Sequence, residues 1–167
     1  AAVALGRVLT AEGRTGEAAE VLSRVAAESD AEIARRLALS RLHLQTGDRS
    51  KAIRSAQIAV SIESGARTYA ALSRAFMAAG EVEKAASAAK EARTANPYSA
   101  RAHLALARVS AETGSPEKAL ERCRKALKID PYLVEAMILK GDIHLQRDKP
   151  RKAAAAWNEA LNLDRWN

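Results

Sequence analysis

The sequence predicts an all-α fold, on three observations. Close to half of the 167 residues are apolar (48%), yet aromatic residues make up only 4% and alanine dominates. Alanine fills little volume and favours helix, so a core made of it is one of closely packed helices. Val, Ile and Thr never gather into the alternating runs of a half-buried strand. The third observation is a pattern of small residues that returns about every 34 residues.

The repeat organises the whole chain. Ala18, Ala52, Ala85, Ala119 and Ala153 stand in matching contexts, at intervals of 34, 33, 34 and 34 residues. Five positions before each of the first four lies a glycine: Gly13, Gly47, Gly80 and Gly114; in the fifth unit Asp148 takes that place. Seven positions after the alanines come Val25, Ala59, Ala92, Ala126 and Ala160, and eight before the glycines come Leu5, Leu39, Leu72 and Leu106. Such a period marks one supersecondary unit stacked on copies of itself.

Each unit reads as helix A, a short turn and helix B. The helix pairs are expected at about 1–12 and 15–28, 32–46 and 49–62, 66–79 and 82–95, 99–113 and 116–129, and 133–146 and 149–163. The glycine supplies the left-handed conformation that ends helix A without a Cβ penalty. In the fourth unit, Gly114-Ser115-Pro116-Glu117 offers Ser115 as a cap and Pro116 at a first-turn position, where a proline loses no hydrogen bond. Lys149-Pro150 opens the fifth unit's helix B in the same way. Between units, Asn96-Pro97-Tyr98 and Asp130-Pro131-Tyr132 stop one helix B and start the next helix A. The alanines lie one or two turns apart on helix B, where a bulky residue would force the pair open.

These markers resemble the tetratricopeptide repeat, and the resemblance spans essentially all of residues 1–167. It implies a right-handed superhelical solenoid of about five antiparallel helix-turn-helix units, near 1–32, 33–65, 66–99, 100–133 and 134–167, in a single domain. It also implies a scaffold for protein–protein interaction rather than an enzyme. The departures from the family pattern are specific. The early helix A tryptophan is replaced by Ala2, Arg36, Tyr69, His103 and Met137, and the bulky residue of helix B becomes Leu22, Ala56, Ala89, Cys123 and Trp157. Asp30, Ser64 and Arg165 stand where inter-unit prolines are usual, and Lys140 replaces a leucine. The alanine exchanges make the middle units thin, so their stability rests on helix propensity and stacking.

Lys and Arg outnumber Asp and Glu by 27 to 20, a net charge of +7, and Arg is the commoner cation. The excess favours acidic partners without naming one. Cys123 is the one cysteine, so no disulfide framework forms within the chain. No apolar run approaches the roughly 20 residues of a membrane span. The chain starts at Ala1 with an incomplete first unit, and after its last helix pair comes only Arg165-Trp166-Asn167; it reads as a segment of a longer array. Its Ala- and Arg-rich usage points to a bacterial source, and both the cytoplasm and the periplasm fit.

Catalytic motifs are missing: no Gly-rich phosphate loop, no GxSxG, no HExxH. His43, His103 and His144 fall in separate units, without a second ligand at metal spacing, so no metal or cofactor is expected. Cys123 is expected in the helix A/B contact as a small hydrophobe, with a reactive thiol as the competing reading. Trp157 is expected in the core. Trp166 either packs on the open end or docks a following unit.

The inner surface carries the functional expectation. The family resemblance implies that helix A lines the concave face. One position of that helix holds Arg7, Arg41, Arg74 and Arg108 in four successive units, then Asp142. Arg67 and Arg101 sit seven residues before Arg74 and Arg108, two turns back on the same face. Apolar positions run between them: Val3, Leu37, Ala70, Leu104 and Ile138, then Leu44, Met77 and Leu145. Guanidinium groups suit planar, bidentate contact with carboxylates or phosphates. An apolar floor with a basic stripe fits an acidic peptide or partner domain. The competing reading is a solvated or salt-bridged arginine row. The family's carboxylate clamp is not matched: Val3 and Leu37 stand where it uses lysine, and Arg7 and Arg41 where it uses asparagine. Self-association through the uncapped ends is the alternative function. Nucleic-acid binding is disfavoured, because aromatic stacking platforms are missing from the groove positions.

Overall fold

A computed structural model describes residues 2–23 and 29–164. Val25, Arg165 and Trp166 lie outside the described residues, and so do the side chains of Ala2, Val3 and Leu22. Among the described residues there are ten helices and no strand. They are α1 (Ala2–Ala11), α2 (Thr15–Ser23), α3 (Ser29–Gln45), α4 (Arg49–Ile62), α5 (Ala66–Ala78), α6 (Val82–Ala95), α7 (Ala100–Glu112), α8 (Pro116–Ile129), α9 (Val134–Gln146) and α10 (Pro150–Asp164). Odd helices are the A helices and even ones the B helices. Each A packs on its own B, each B on the next A, and each A on the next A, so the chain is a solenoid of stacked pairs. None of the helices is long and apolar enough to cross a membrane.

The turns obey one backbone rule. Gly13, Gly47, Gly80 and Gly114 have φ of 75°, 79°, 77° and 70°, and Asp148 has φ of 53°. Behind each, the reversed chain donates back to the last turn of helix A: Asp48 N to His43 O at 2.8 Å, Glu81 N to Phe76 O at 2.9 Å, Ser115 N to Ser110 O at 2.8 Å and Lys149 N to His144 O at 2.9 Å. The left-handed residue thus satisfies carbonyls that a helix end would leave open. Capping differs between units. The Asp48 carboxylate accepts from Lys51 N at 3.1 Å, but Ser115, at the corresponding place, makes no side-chain cap bond.

The turns between units use two devices. Asn96 and Asp130 each cap a B helix and accept, through Oδ1, from the N–H of Tyr98 (2.9 Å) and Tyr132 (3.0 Å). After the second unit, where Ser64 replaces proline, the Thr68 hydroxyl accepts from Gly65 N (3.1 Å) and donates to Glu63 O (2.7 Å). The second A helix starts three residues earlier than expected. Its first turn holds Glu32, which accepts from Arg35 Nε and Arg36 Nε, each at 2.6 Å. Arg36, at the family's tryptophan position, is thereby an ion-pair partner rather than a packing residue.

The core is built on alanine. Ala18, Ala52, Ala85, Ala119 and Ala153 are completely inaccessible, as are Ala59, Ala92 and Ala126. Ala56 and Ala89, which replace bulky helix B residues, are equally closed. Cys123 packs with Ala107, Ala119, Leu120 and Ile143 at the contact of α7, α8 and α9, and burial pushes its thiol up to about 11. A thiol that resists ionisation behaves as a small apolar group. Trp157 is only half-buried, which departs from a fully enclosed core position. Its indole lies over Gly141, where a Cβ would come within 2.3 Å of Nε1, and that Nε1–H donates to Asp142 Oδ1 at 3.2 Å.

His103 Nε2–H donates to Pro97 O at 3.0 Å, which ties α7 to the turn before it and leaves a buried, unpartnered Nδ1. Burial also holds the imidazoles of His43, His103 and His144 below their ordinary value.

Both the left-handed aspartate and the buried imidazoles should register in stability. Asp148→Gly relieves a left-handed residue that has a Cβ, and should raise the urea midpoint by the equivalent of about 0.5–1 kcal/mol; an unchanged or lower midpoint refutes the strain. The imidazoles make stability depend on pH. Unfolded imidazoles titrate near 6.5, and the folded ones lower. In that window the unfolded chain binds more protons, so stability falls as the solution is acidified through it. The melting temperature should therefore drop between neutral pH and about pH 5. His103→Gln, which keeps an N–H donor without a titrating ring, should drop less; an equal drop would clear His103 of a role.

Candidate functional site

Stacking the A helices turns residues 33 or 34 positions apart in sequence into neighbours in space. Two adjoining cavities open along their exposed side. The narrower, about 60 Å³, is lined by Arg41 of α3, Arg67 and Arg74 of α5, Arg101 and Arg108 of α7 and Glu135 of α9, over an apolar floor that includes Leu37, Ala70, Leu104 and Leu133. The wider, about 380 Å³, holds Arg7, Thr10, Ala34, Ala38 and Gln45, and shares Leu37, Arg41, Arg67 and Arg101 with its neighbour. All six arginines expected on the inner face thus border one continuous groove, together with Leu37 and Leu104.

Leu44 and Met77 are placed differently. Both are half-buried and pack on the cluster of Ala52, Ala56, Leu72, Ala75, Phe76, Ala85 and Ala88, and neither cavity includes them. They sit a turn nearer the left-handed glycine, where neighbouring units close over the helix end. Ile138 and Leu145 are exposed on the last A helix, and Ile138 lines a third cavity of about 270 Å³ with Val134, Trp157, Ala160 and Leu161. Asp142, in the register of the arginine row, takes the Trp157 indole N–H.

The electrostatics of the groove are lopsided. Among the described residues, none of the six arginines has a carboxylate within 4.0 Å. Off the groove, Arg14, Arg35, Arg36 and Arg147 reach acids, whereas Arg49, Arg54, Arg93, Arg122, Arg124 and Arg151 do not, so what sets the groove apart is that its unpaired arginines gather along two adjoining cavities. Arg74 is the most enclosed in charge terms. Burial, and then the positive charges of Arg41, Arg108 and Arg101, push its guanidinium down to about 10, against a partial offset from Glu135. Burial depresses Arg108 as well, again opposed by Glu135. Both remain cations at neutral pH, so the shift measures an energetic cost rather than a change of state. The Nε–H of Arg74 is sealed from solvent without an acceptor, and a buried donor left unmet costs about 1–3 kcal/mol.

Sequence reasoning passed over Glu135, although its register could have found it. It stands 13 positions before Asp148, as Arg67 and Arg101 stand 13 before Gly80 and Gly114. The fifth unit therefore inverts the charge at both ladder positions, Glu135 for one and Asp142 for the other. Ser73 was also missed; its buried hydroxyl donates to Ala85 O at 2.8 Å and locks α5 to α6 behind the pocket. Among the described residues no group of three His, Cys, Asp or Glu is placed to hold a metal ion.

Comparison with known proteins agrees with this geometry. Residues 70–133 match one tetratricopeptide repeat model and residues 1–24 another, together more than half of the chain. No curated protein sequence matches it. The crystal structure of TTC0263, a thermophilic TPR protein of Thermus thermophilus, superposes with a TM-score of 0.82 at 25% identity, over 97% of this chain and 89% of that one. PilF of Pseudomonas aeruginosa gives 0.67 at 18% identity, over 96% and 74%. A MamA structure from Desulfovibrio magneticus RS-1 gives 0.60 at 18% identity, over 98% and 93%. With its repeat register, its left-handed turns and its stacked helix pairs, the chain belongs to the tetratricopeptide repeat family.

Proposed function

We propose that this chain is a protein-interaction scaffold whose concave groove binds an acidic segment of a partner. The observation that supports it is the row of six groove arginines, gathered along two adjoining cavities and lacking ion-pair partners among the described residues. A cation row of this kind repels itself and is desolvated at its centre, and a polyanionic ligand relieves both costs. The floor of Leu37, Ala70 and Leu104 supplies the apolar contact that fixes an extended or helical peptide. The register is consistent with a role for the row as well: arginine recurs at one helix A position through four units.

A second reading rests on the ends of the solenoid. Val8 is 53% exposed, whereas Leu42, Ala75 and Ile143 at the corresponding positions are buried and Val109 is partly buried. At the other end Ile138 and Leu161 are 44% and 61% exposed beside Trp157. These are the two halves of the contact that joins successive units inside the chain, so copies could stack head to tail.

The groove reading is tested with labelled hexaglutamate by fluorescence anisotropy. Binding should weaken steeply as salt rises, and Arg41→Glu/Arg74→Glu/Arg108→Glu should abolish it while the helical circular dichroism holds. Binding that survives the triple reversal sinks the groove. For stacking, sedimentation over a concentration series should show reversible association that Val8→Glu removes, and a monomer at every concentration rules it out.

A further inference from the structure

Resting on the groove reading above, we infer that the narrow cavity is a seat for one oxyanion head group, anchored by Arg74, and that Glu135 is its internal competitor in the free protein. The size argues first. The cavity of about 60 Å³ is the smaller of the two and suits a compact head group such as a carboxylate or phosphoryl group, and the cavity of about 380 Å³ beside it has room for a side chain of the same ligand.

The lining argues next. Three successive A helices aim Arg41, Arg67, Arg74, Arg101 and Arg108 at this one cavity, and the fourth adds the lone acid Glu135. Five guanidinium groups against one carboxylate leave a large local excess of positive charge. The Leu37, Ala70, Leu104 and Leu133 side chains give the cavity an apolar floor, which lowers the screening of charges placed against it.

Arg74 supplies a specific unmet contact. Its Nε–H is closed off and unpartnered, while its Nη atoms are not sealed in the same way. An oxyanion approaching the guanidinium side-on meets an Nη–H first and, with a small turn of the side chain, the Nε–H as well, in the bidentate mode arginine favours. Glu135 is the fold's own version of that ligand. It occupies the register of Arg67 and Arg101 in the unit where the row inverts, and so brings a carboxylate to the cavity's edge. Among the described residues it forms no ion pair with any of the five. It lowers the local field without filling the seat, and an incoming oxyanion has to overcome its repulsion.

The experiment uses the whole chain, ¹⁵N-labelled, with arginine Nε–H resonances followed by NMR during titration with inorganic phosphate and, separately, acetate. The Arg74 signal is assigned by its loss in Arg74→Lys. Phosphate should shift the Arg74 and Arg108 signals saturably, at concentrations that leave exposed Arg49 and Arg54 unmoved. Glu135→Gln should tighten the fit about fivefold, the effect of removing one nearby like charge in a partly screened site. A saturable acetate shift of equal strength assigns the seat to carboxylates, and a phosphate response alone assigns it to phosphoryl groups; either supports the seat. Uniform, non-saturating drift of all arginines overturns it. Weaker binding in Glu135→Gln overturns the competitor role and makes Glu135 a positioning residue for Arg108. If hexaglutamate still binds the groove while phosphate and acetate leave Arg74 unmoved, the seat fails and the groove reading stands; if hexaglutamate also fails to bind, the groove reading fails with it.

Discussion

The paired helices can approach only as closely as the side chains between them allow, and here those side chains are methyl groups. Ala18, Ala52, Ala85, Ala119 and Ala153 have no accessible surface at all. A larger side chain at any of them would spread one pair and shift every later unit by the same amount, because in a solenoid each repeat takes its position from the one before. The groove depends on this. Only thin, evenly spaced pairs bring Arg41, Arg74 and Arg108 into one row, and place Arg67 and Arg101 beside it at a single cavity.

That geometry has an electrostatic consequence. Repetition copies charge as faithfully as it copies shape, so a basic position becomes a basic row. Elsewhere some cations are neutralised locally: Arg35 and Arg36 share Glu32, Lys51 meets Asp48, and Arg147 crosses to Glu117 in the preceding unit. Arg74 bears most of the cost, as a desolvated cation among like charges with one donor unmet. A site that is costly when empty is better stabilised by a complementary ligand than a neutral surface of the same shape, which is the ground for proposing the groove rather than the solvated faces.

What was legible in the sequence was whatever a local backbone constraint dictates. The left-handed glycines, the closed alanines and the Asn-Pro and Asp-Pro turns each need one residue type at one place, and the helix boundaries followed to within a few residues. The register of the arginines was legible for the same reason, since it counts from the glycine. Features that depend on reach or on rotation between units were not. Ser99 caps α7 from ψ of 118°, and Asp48 caps α4 from ψ of 79° because its carboxylate extends one bond further; Ser115 at ψ of 65° has the shorter arm and bonds nothing. Leu44 and Met77 share a side with the groove residues, but the closing of neighbouring units at the helix end draws them into the core. Trp157 answers to Gly141, a pairing across two helices that no period reveals.

The fifth unit gives the groove a direction. Through four units the inner face is basic, and then both ladder positions change sign together. The two acids do different work. Asp142 is held by the Trp157 indole, which rests on Gly141, so its charge is tied to the packing of the last helix pair. Glu135 faces back along the row and tempers Arg108 and Arg74. In the proposed binding mode an acidic segment would meet attraction along α1, α3, α5 and α7 and repulsion at α9, and the change of sign would set its register along the groove. A uniform row of arginines would let a polyanion slide from unit to unit at constant energy, whereas a row that ends in an acid gives the proposed ligand a place to end.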